Sequence, residues 1–273
     1  MSESNGHESA IFVTIVCATY NRERSILRAI ESVTSQTFEN WELLVVDDGS
    51  TDCTAKIVEQ CLDDQRIKYF PQGQNKGVGY ARNFGISRAV GEWVLLLDSD
   101  NALDDCALHN IREAIKADCG IGMHKFMVTS FDGRPMSQMV TKPTVLEASD
   151  FLSGKLTGEF HTVVKKEALD AVRFFEKFNG GEGIVWSKIA LRQGHVKFHP
   201  IPTLIYETQG NDRLSLRSKN ISRLAQVYKA DIEELWLAYL RNSPSKLAIN
   251  LIKYFIYKSL HVVSDIKRWF DYR

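Results

Sequence analysis

Two carboxylates one residue apart, Asp98 and Asp100, close the aliphatic run "GEWVLLLDSDNAL" at 91–103. A run of this composition reads as a buried strand. A strand that ends in paired hard oxygens can present them to Mg2+ or Mn2+ together with a pyrophosphate. The same residues also suit a plain strand-end turn or helix cap, with Leu103 opening the helix that follows. Two further edges repeat the design. "IFVTIVCATYNRE" ends its apolar stretch in Thr19, Tyr20 and Asn21, and "WELLVVDDGSTD" ends in Asp47 and Asp48, with Ser50 or Asp52 placed to cap a helix. Caps explain each edge singly, but all three in this order are hard to explain so.

The three runs read as strands covered on both faces, because they lack polar alternation. Helices separate them. Ile26, Ile30 and Val33 share one helical face after Asn21, and Ile57, Val58 and Leu62 share another. "RIKYF" adds a short strand and "GVGYARNFGISRAV" a helix interrupted by glycines. Such β-α-β-α alternation predicts a right-handed, doubly wound and mainly parallel α/β sheet, in which ligands bind beyond the carboxyl ends of the strands. Neither GxxxxGKS/T nor a GxGxxG after the first strand is present to grip phosphates through backbone amides.

The 273 residues, 44% hydrophobic, suit one large core, and 34 basic against 34 acidic residues give no global sign of nucleic-acid binding. Five cysteines without CxxC spacing predict reduced, mostly buried thiols rather than a disulfide framework or zinc site. Residues 1–10 lack the basic start and apolar stretch of a signal peptide, so a frayed N-terminus and a cytoplasmic location are expected.

Taken together, "CATYNRERSILRAIESVTSQTFENWELLVVDDGSTDCT" and "NKGVGYARNFGISRAVGEWVLLLDSDNAL" resemble the nucleotide-binding half of family 2 glycosyltransferases, inverting enzymes of the GT-A fold. The likeness runs from about Val13 to about Leu103. It implies that Thr19 and Tyr20 line a nucleotide pocket and that Asp48 accepts a hydrogen bond from uracil. It also implies that Arg82 lies near the nucleotide-sugar, and that Asp98, Ser99 and Asp100 form the DxD motif. In that motif Asp100 ligates the metal and Asp98 faces the ribose or sugar. A surface salt bridge is the plainer role for Arg82.

Two stretches depart from the family pattern. Where members carry a Glu-Asp pair opening a helix, "FNGGEGIVWSKIALRQG" has Glu182 followed by Gly183. Glu182 is then the candidate base for the acceptor hydroxyl, with Glu176 and Asp170 in reserve, though a carboxylate at a helix N-terminus also simply opposes the macrodipole. Trp186 on that helix could stack on an acceptor sugar or belong to the core. In "PTLIYETQGNDRLSL" Gln209 stands where members can place a metal-binding histidine, and His161, His195 and His199 read as ordinary histidines. From Arg213 onward the chain carries a net charge of +7, in two helices divided at Pro244 that are too often interrupted by lysine to span a bilayer. They could lie on an anionic membrane surface, pack on the catalytic domain or pair two subunits.

The expected organisation is therefore 1–10 disordered, 11–212 a GT-A catalytic domain and 213–273 basic amphipathic helices. The domain divides into 11–103 for the nucleotide-sugar and 104–212 for the acceptor. The function implied is metal-dependent (Mn2+ or Mg2+) inverting transfer from a nucleotide-sugar, UDP-linked by the Asp48 match. The acceptor would be a glycan or lipid-linked chain in surface polysaccharide or lipopolysaccharide synthesis. A noncatalytic sugar- or nucleotide-binding relative and a sugar-nucleotide nucleotidyltransferase are the alternatives, the latter lacking its glycine-rich loop in "CATYNRE".

Overall fold

The computed structural model describes residues 12–208 and 221–271, with side chains described as far as residue 259. The expected frayed start at 1–10 and Gln209 lie outside the described residues. The three apolar runs form parallel strands β1 (Val13–Thr19), β2 (Trp41–Asp47) and β4 (Trp93–Asp98). With β3 (Ile67–Pro71) they take the order β3-β2-β1-β4. Helices α1 (Ile26–Thr34), α2 (Thr54–Glu59) and α3 (Val78–Arg88) make the crossovers. Ile26, Ala29, Ile30 and Val33 are fully or almost fully buried against the sheet, as the helical spacing requires. Gly85 lets α3 lie flat on it, because a Cβ there would come within 2.4 Å of Val16 Cγ1.

Beyond β4 the pairing changes sense. A two-residue strand β5 (Ala102–Leu103) leads to α4 (Ala107–Lys116), β6 (Met123–Ser130), β7 (Thr144–Glu147) and α5 (Ala148–Ser153). These are followed by β8 (Phe160–Lys165), α6 (Lys166–Asp170), α7 (Glu182–Gln193) and β9 (His195–Tyr206). The sheet continues β4-β8-β6-β9-β5, with β7 also on β9; β8 is antiparallel to both β4 and β6, while β6 and β9 are parallel. Among the described residues this makes a mixed nine-stranded sheet with the expected parallel winding in its first half. Leu103 belongs to β5 and not to a helix, since its backbone pairs with Leu204 and the helix waits until Ala107. Helix α2 stops at Glu59, one turn short of Leu62.

Helices α8 (Ile221–Asn242) and α9 (Pro244–Asp271) break at Pro244, as expected from proline's missing N–H. They form a hairpin: Tyr228 stacks on Tyr257 at 5.7 Å, and Asp231 accepts hydrogen bonds from Tyr239 and Asn250. Leu235, Tyr239 and Leu247 bury themselves against Leu152 of α5 and Ile184 of α7, so the hairpin packs on the second half of the sheet domain. None of the helices, among the described residues, is long and apolar enough to cross a membrane. The thiols are free, yet only Cys17 is buried; Cys53, Cys106 and Cys119 are exposed, because they sit in turns and helix starts rather than strands.

Candidate active site

Register brings the three polar edges together. Thr19 pairs with Asp47 across β1 and β2, and Ala18 pairs with Asp98 across β1 and β4, so the strand ends stand in one row. A cavity of about 680 Å3 opens above them. Its walls include Thr19, Tyr20, Asp48, Arg82, Asp98, Ser99, Asp100, Glu182 and Trp186, so all nine residues singled out in the sequence meet there. Glu176 and Asp170 do not: Glu176 accepts from the Asn83 side chain and Asp170 pairs with Lys166.

The loops after β1 and β2 are stapled to each other. Asn21 adopts a left-handed backbone (φ 51°), which asparagine tolerates better than most residues. Its N–H donates to Ser50 Oγ, and its Oδ1 accepts from the Thr51 N–H. Asn21 therefore ties two loops and does not cap α1. Asp48, buried, holds the next loop: Oδ1 accepts the Lys76 N–H at 2.9 Å and Oδ2 the Gly77 N–H at 2.7 Å. Burial, together with nearby Asp47, pushes its carboxyl up against the pull of those two N–H groups. Each oxygen keeps a lone pair for a ligand donor.

Arg82 joins the halves of the domain. From α3 its Nη2 donates to Asp98 Oδ1 and its Nη1 to Glu182 Oε1, both at 2.8 Å. Burial works against its charge, but Asp98 and Glu182 outweigh burial and hold the guanidinium above its ordinary range. This buried double ion pair replaces the surface bridge that was the plainer expectation. The joint is tight: a Cβ on Gly79 would lie 1.9 Å from the Phe175 carbonyl oxygen, and Asn83 exchanges hydrogen bonds with the Phe174 backbone. Glu182 sits in the first turn of α7, as the sequence suggested, and Arg82 is its only hydrogen-bond partner among the described residues. Trp186, one turn further, is half-buried: it lines the cavity and meets Phe174 edge to face at 5.5 Å, so it serves wall and core together.

Asp100 faces Arg22 at 3.8 Å, and its carbonyl accepts from Arg28, which also pairs with Glu207. The buried Cys17 thiol behind this turn is pushed up by burial and then by Asp98 and Asp100, so the negative charge of the pair is felt through the strand. No third His, Cys, Asp or Glu groups with the two aspartates as a metal cluster among the described residues.

The structure adds Arg22, Glu159, Glu207 and Arg223, which the sequence did not single out, and His161, read there as an ordinary histidine, to the cavity lining. Glu159 and His161 arrive on β8, whose antiparallel pairing with β4 carries no local spacing signal. Burial raises the Glu159 carboxyl, and Asp98 and Glu182 raise it further. Burial lowers His161 to about 4. His195 and His199 stay outside the cavity, and His199 lies in the core on His124. Seven buried side-chain polar atoms lack a protein partner among the described residues, and four of them, on Thr19, Arg82, His161 and Arg223, belong to cavity walls. Orphaned polar atoms are rare in folded proteins, and their concentration here marks a place that a polar ligand completes.

Comparison with known proteins gives a consistent picture. Residues 14–166 match the sequence model of the family described as Glycosyl transferase family 2. A GalNAc(5)-diNAcBac-PP-undecaprenol beta-1,3-glucosyltransferase of Campylobacter jejuni is 33% identical over 183 residues, 64% of this chain and 58% of its own length. The succinoglycan biosynthesis protein ExoO of Rhizobium meliloti is 31% identical over 234 residues, 80% of this chain and 65% of its own. The chain thus spans under two thirds of either relative. Among solved structures, S. aureus TarS in complex with UDP-GlcNAc superposes with a TM-score of 0.74 at 21% identity, covering 89% of this chain and 72% of TarS. A mannosyltransferase from Pyrobaculum calidifontis, in complex with GDP-Man and Mn2+, gives 0.60 at 18% identity, covering 93% and 79%. At such identities the likeness establishes the fold alone, the GT-A architecture that the family resemblance implied.

Proposed function

We propose, for a chain that belongs to glycosyl transferase family 2, that this cavity binds a nucleotide-sugar and transfers its sugar, with inversion, to a hydroxyl of a glycan or lipid-linked acceptor in polysaccharide synthesis. The observation that carries the reading is the Asp98–Arg82–Glu182 bridge. It sets the strand-end aspartates on one side of a guanidinium and a lone carboxylate on the other, within a cavity rich in unpartnered polar atoms.

On this reading the base of the nucleotide lies toward Thr19, Tyr20 and Asp48, where a spare lone pair of Asp48 accepts from uracil; a UDP-sugar is the donor. Asp98 and Asp100 fit a divalent cation by chemistry, offering hard oxygens from one turn, and the rest of its shell would come from diphosphate and water. When bound, such a Mg2+ or Mn2+ ion offsets the negative charge that gathers on the departing diphosphate. Glu182 is held through Oε1 and has a second oxygen with no protein partner among the described residues, so it can take the proton of the attacking hydroxyl. Arg82 fixes its position, and Trp186 offers an aromatic edge or face to the acceptor sugar.

The acceptor side faces the α8–α9 hairpin. On α9, Ile249, Ile252, Phe255 and Ile256 are exposed and lie away from the buried Leu247 and Asn250, with Lys253 exposed beside them. This stripe suits the surface of an anionic membrane, where a lipid-linked acceptor would be reached.

The test is thermal shift against a panel of nucleotides and nucleotide-sugars, with and without Mn2+. Wild type should be stabilised by a UDP-sugar in a Mn2+-dependent way, and Asp100→Ala should lose that dependence. No stabilisation by any nucleotide would sink the assignment.

A further inference from the structure

The arginines of the cavity wall face carboxylates, with one exception. Arg82 is committed to Asp98 and Glu182, and Arg22 faces Asp100. Arg223 is the exception. It lines the same cavity, yet among the described residues it has neither an ion pair nor a hydrogen bond, and its Nε is buried without a partner. A buried, unanswered donor is costly, and a guanidinium in a ligand cavity is a planar fork that matches phosphoryl oxygens two at a time.

Its delivery is firm. Arg223 lies in the first turn of α8, and a Cβ on Gly180 would meet Val227 of that helix at 3.5 Å, so α8 starts beside the turn that opens α7. Further along, Leu235 and Tyr239 anchor the helix on α5 and α7. The position lies past the segment, 14–166, that matches the family model. Electrostatics give it a role. The wall carries six carboxylates (Asp48, Asp98, Asp100, Glu159, Glu182 and Glu207) against Arg22, Arg82 and Arg223. A polyanion entering such a wall needs a cation that no wall carboxylate already holds.

We propose that Arg223 binds phosphoryl oxygens of a diphosphate-bearing ligand, which makes the C-terminal hairpin a working wall of the site. The inference rests on the nucleotide-sugar reading above. The same chemistry has two sources, the diphosphate of the donor and a pyrophosphate on the acceptor, and the experiment separates them.

Binding of UDP, uridine and inorganic pyrophosphate is measured by calorimetry in Mn2+ buffer on wild type, Arg223→Ala and Arg223→Lys. Lys229→Ala on the same helix, outside the cavity wall, controls for net charge. With the donor as source, Arg223→Ala weakens UDP about ten- to a hundredfold while uridine is unaffected, and Arg223→Lys recovers part of the loss. With the acceptor as source, UDP binds normally, but pyrophosphate binding to the UDP-saturated protein disappears in Arg223→Ala. If Arg223→Ala binds UDP and pyrophosphate as wild type does, the proposal is overturned. It is overturned equally if uridine weakens as much as UDP in a variant whose melting temperature has dropped, since that marks a structural role. Wild type that binds no UDP would instead refute the nucleotide-sugar reading itself.

Discussion

Acidification from pH 8 to pH 5.5 should cost this fold several kcal/mol, and three histidines set the amount. His124, His161 and His199 are 0%, 3% and 2% exposed. His124 donates through Nε2 to the Ile121 carbonyl and meets His199 Nε2 through Nδ1 at 2.9 Å, while His199 lies stacked between His124 and Phe126. Burial lowers His124 and His161 to about 4, and burial with the neighbouring His124 and Lys197 lowers His199 to about 3. In the unfolded chain each returns to about 6.5. The unfolded state therefore takes up protons first as pH falls, so the stability is complete above about pH 7 and is lost as pH drops from 6.5 toward 4. At pH 5.5 each histidine accounts for about 1.4 kcal/mol, or about 4 kcal/mol for the three. Lys125 adds a loss of the same sign: burial lowers it to about 7, against a small opposing effect of Glu159, so the folded state gives up its proton far earlier than the unfolded chain. Glu159 acts the other way, since its raised carboxyl favours the folded state in acid. Four kcal/mol is a large share of the usual 5–15 kcal/mol of a domain. The measurement is urea unfolding at the two pH values on wild type and on His199→Gln, whose amide can still donate to His124. The expected result is a drop of about 4–6 kcal/mol in wild type and a drop smaller by about 1.4 kcal/mol in the variant. Equal stability at both pH values, or an unchanged slope in His199→Gln, would refute the reasoning.

Other perturbations probe the site directly. Glu182→Gln should lower turnover by about a hundredfold to ten-thousandfold while leaving UDP affinity within a fewfold of wild type, read by product formation and calorimetry on one preparation. Unchanged turnover would remove Glu182 as the base. Gly79→Ala should cost about 1–3 kcal/mol and weaken donor binding, because its Cβ must push the Phe175 backbone away from α3 and shift Arg82. Gly120→Ala, where nothing lies within 4 Å, should be neutral in the same melting assay. Sedimentation with vesicles should show binding to anionic but not zwitterionic lipid, abolished by Ile252→Glu with Ile256→Glu; equal binding to both would argue against the lysines' part. A second copy of the chain covering this stripe would appear instead as a dimer that the same double substitution dissociates.

The half of the site that could be read in the sequence is the half built from parallel strands. Each of those strands is an unbroken apolar run, so its end is visible as the first polar residue, and parallel register places the ends of β1, β2 and β4 in one row without further information. Asp48, Asp98 and Asp100 were legible for that reason, and Glu182 because it stands where the resembled family carries a Glu-Asp pair at a helix start. Glu159 and His161 were not, since they reach the cavity only through the antiparallel entry of β8 between β4 and β6, a pairing across more than sixty residues to β4 that leaves no trace in spacing. Local signals also misled where two structures share them. Asn21 has the residue type of a helix cap but spends its side chain on Thr51, and Leu103 reads as a helix start but pairs in β5.

The C-terminal helices show the same limit from the other side. Their net positive charge suggested a tail with a separate task, and composition alone could say no more than that. What places Arg223 in the cavity is burial of Leu235, Tyr239 and Leu247 against α5 and α7, a contact between stretches far apart in the chain. The apolar side of the hairpin therefore has two jobs that hydropathy cannot separate: one face packs on the domain and aims a guanidinium, and the other stays exposed with its lysines. Substitutions sort the two. Loss of Ile252 and Ile256 should leave UDP and pyrophosphate affinity intact, whereas Leu235→Ala, by loosening α8 from α7, should weaken whichever of the two Arg223→Ala weakens and add little to it in the double variant.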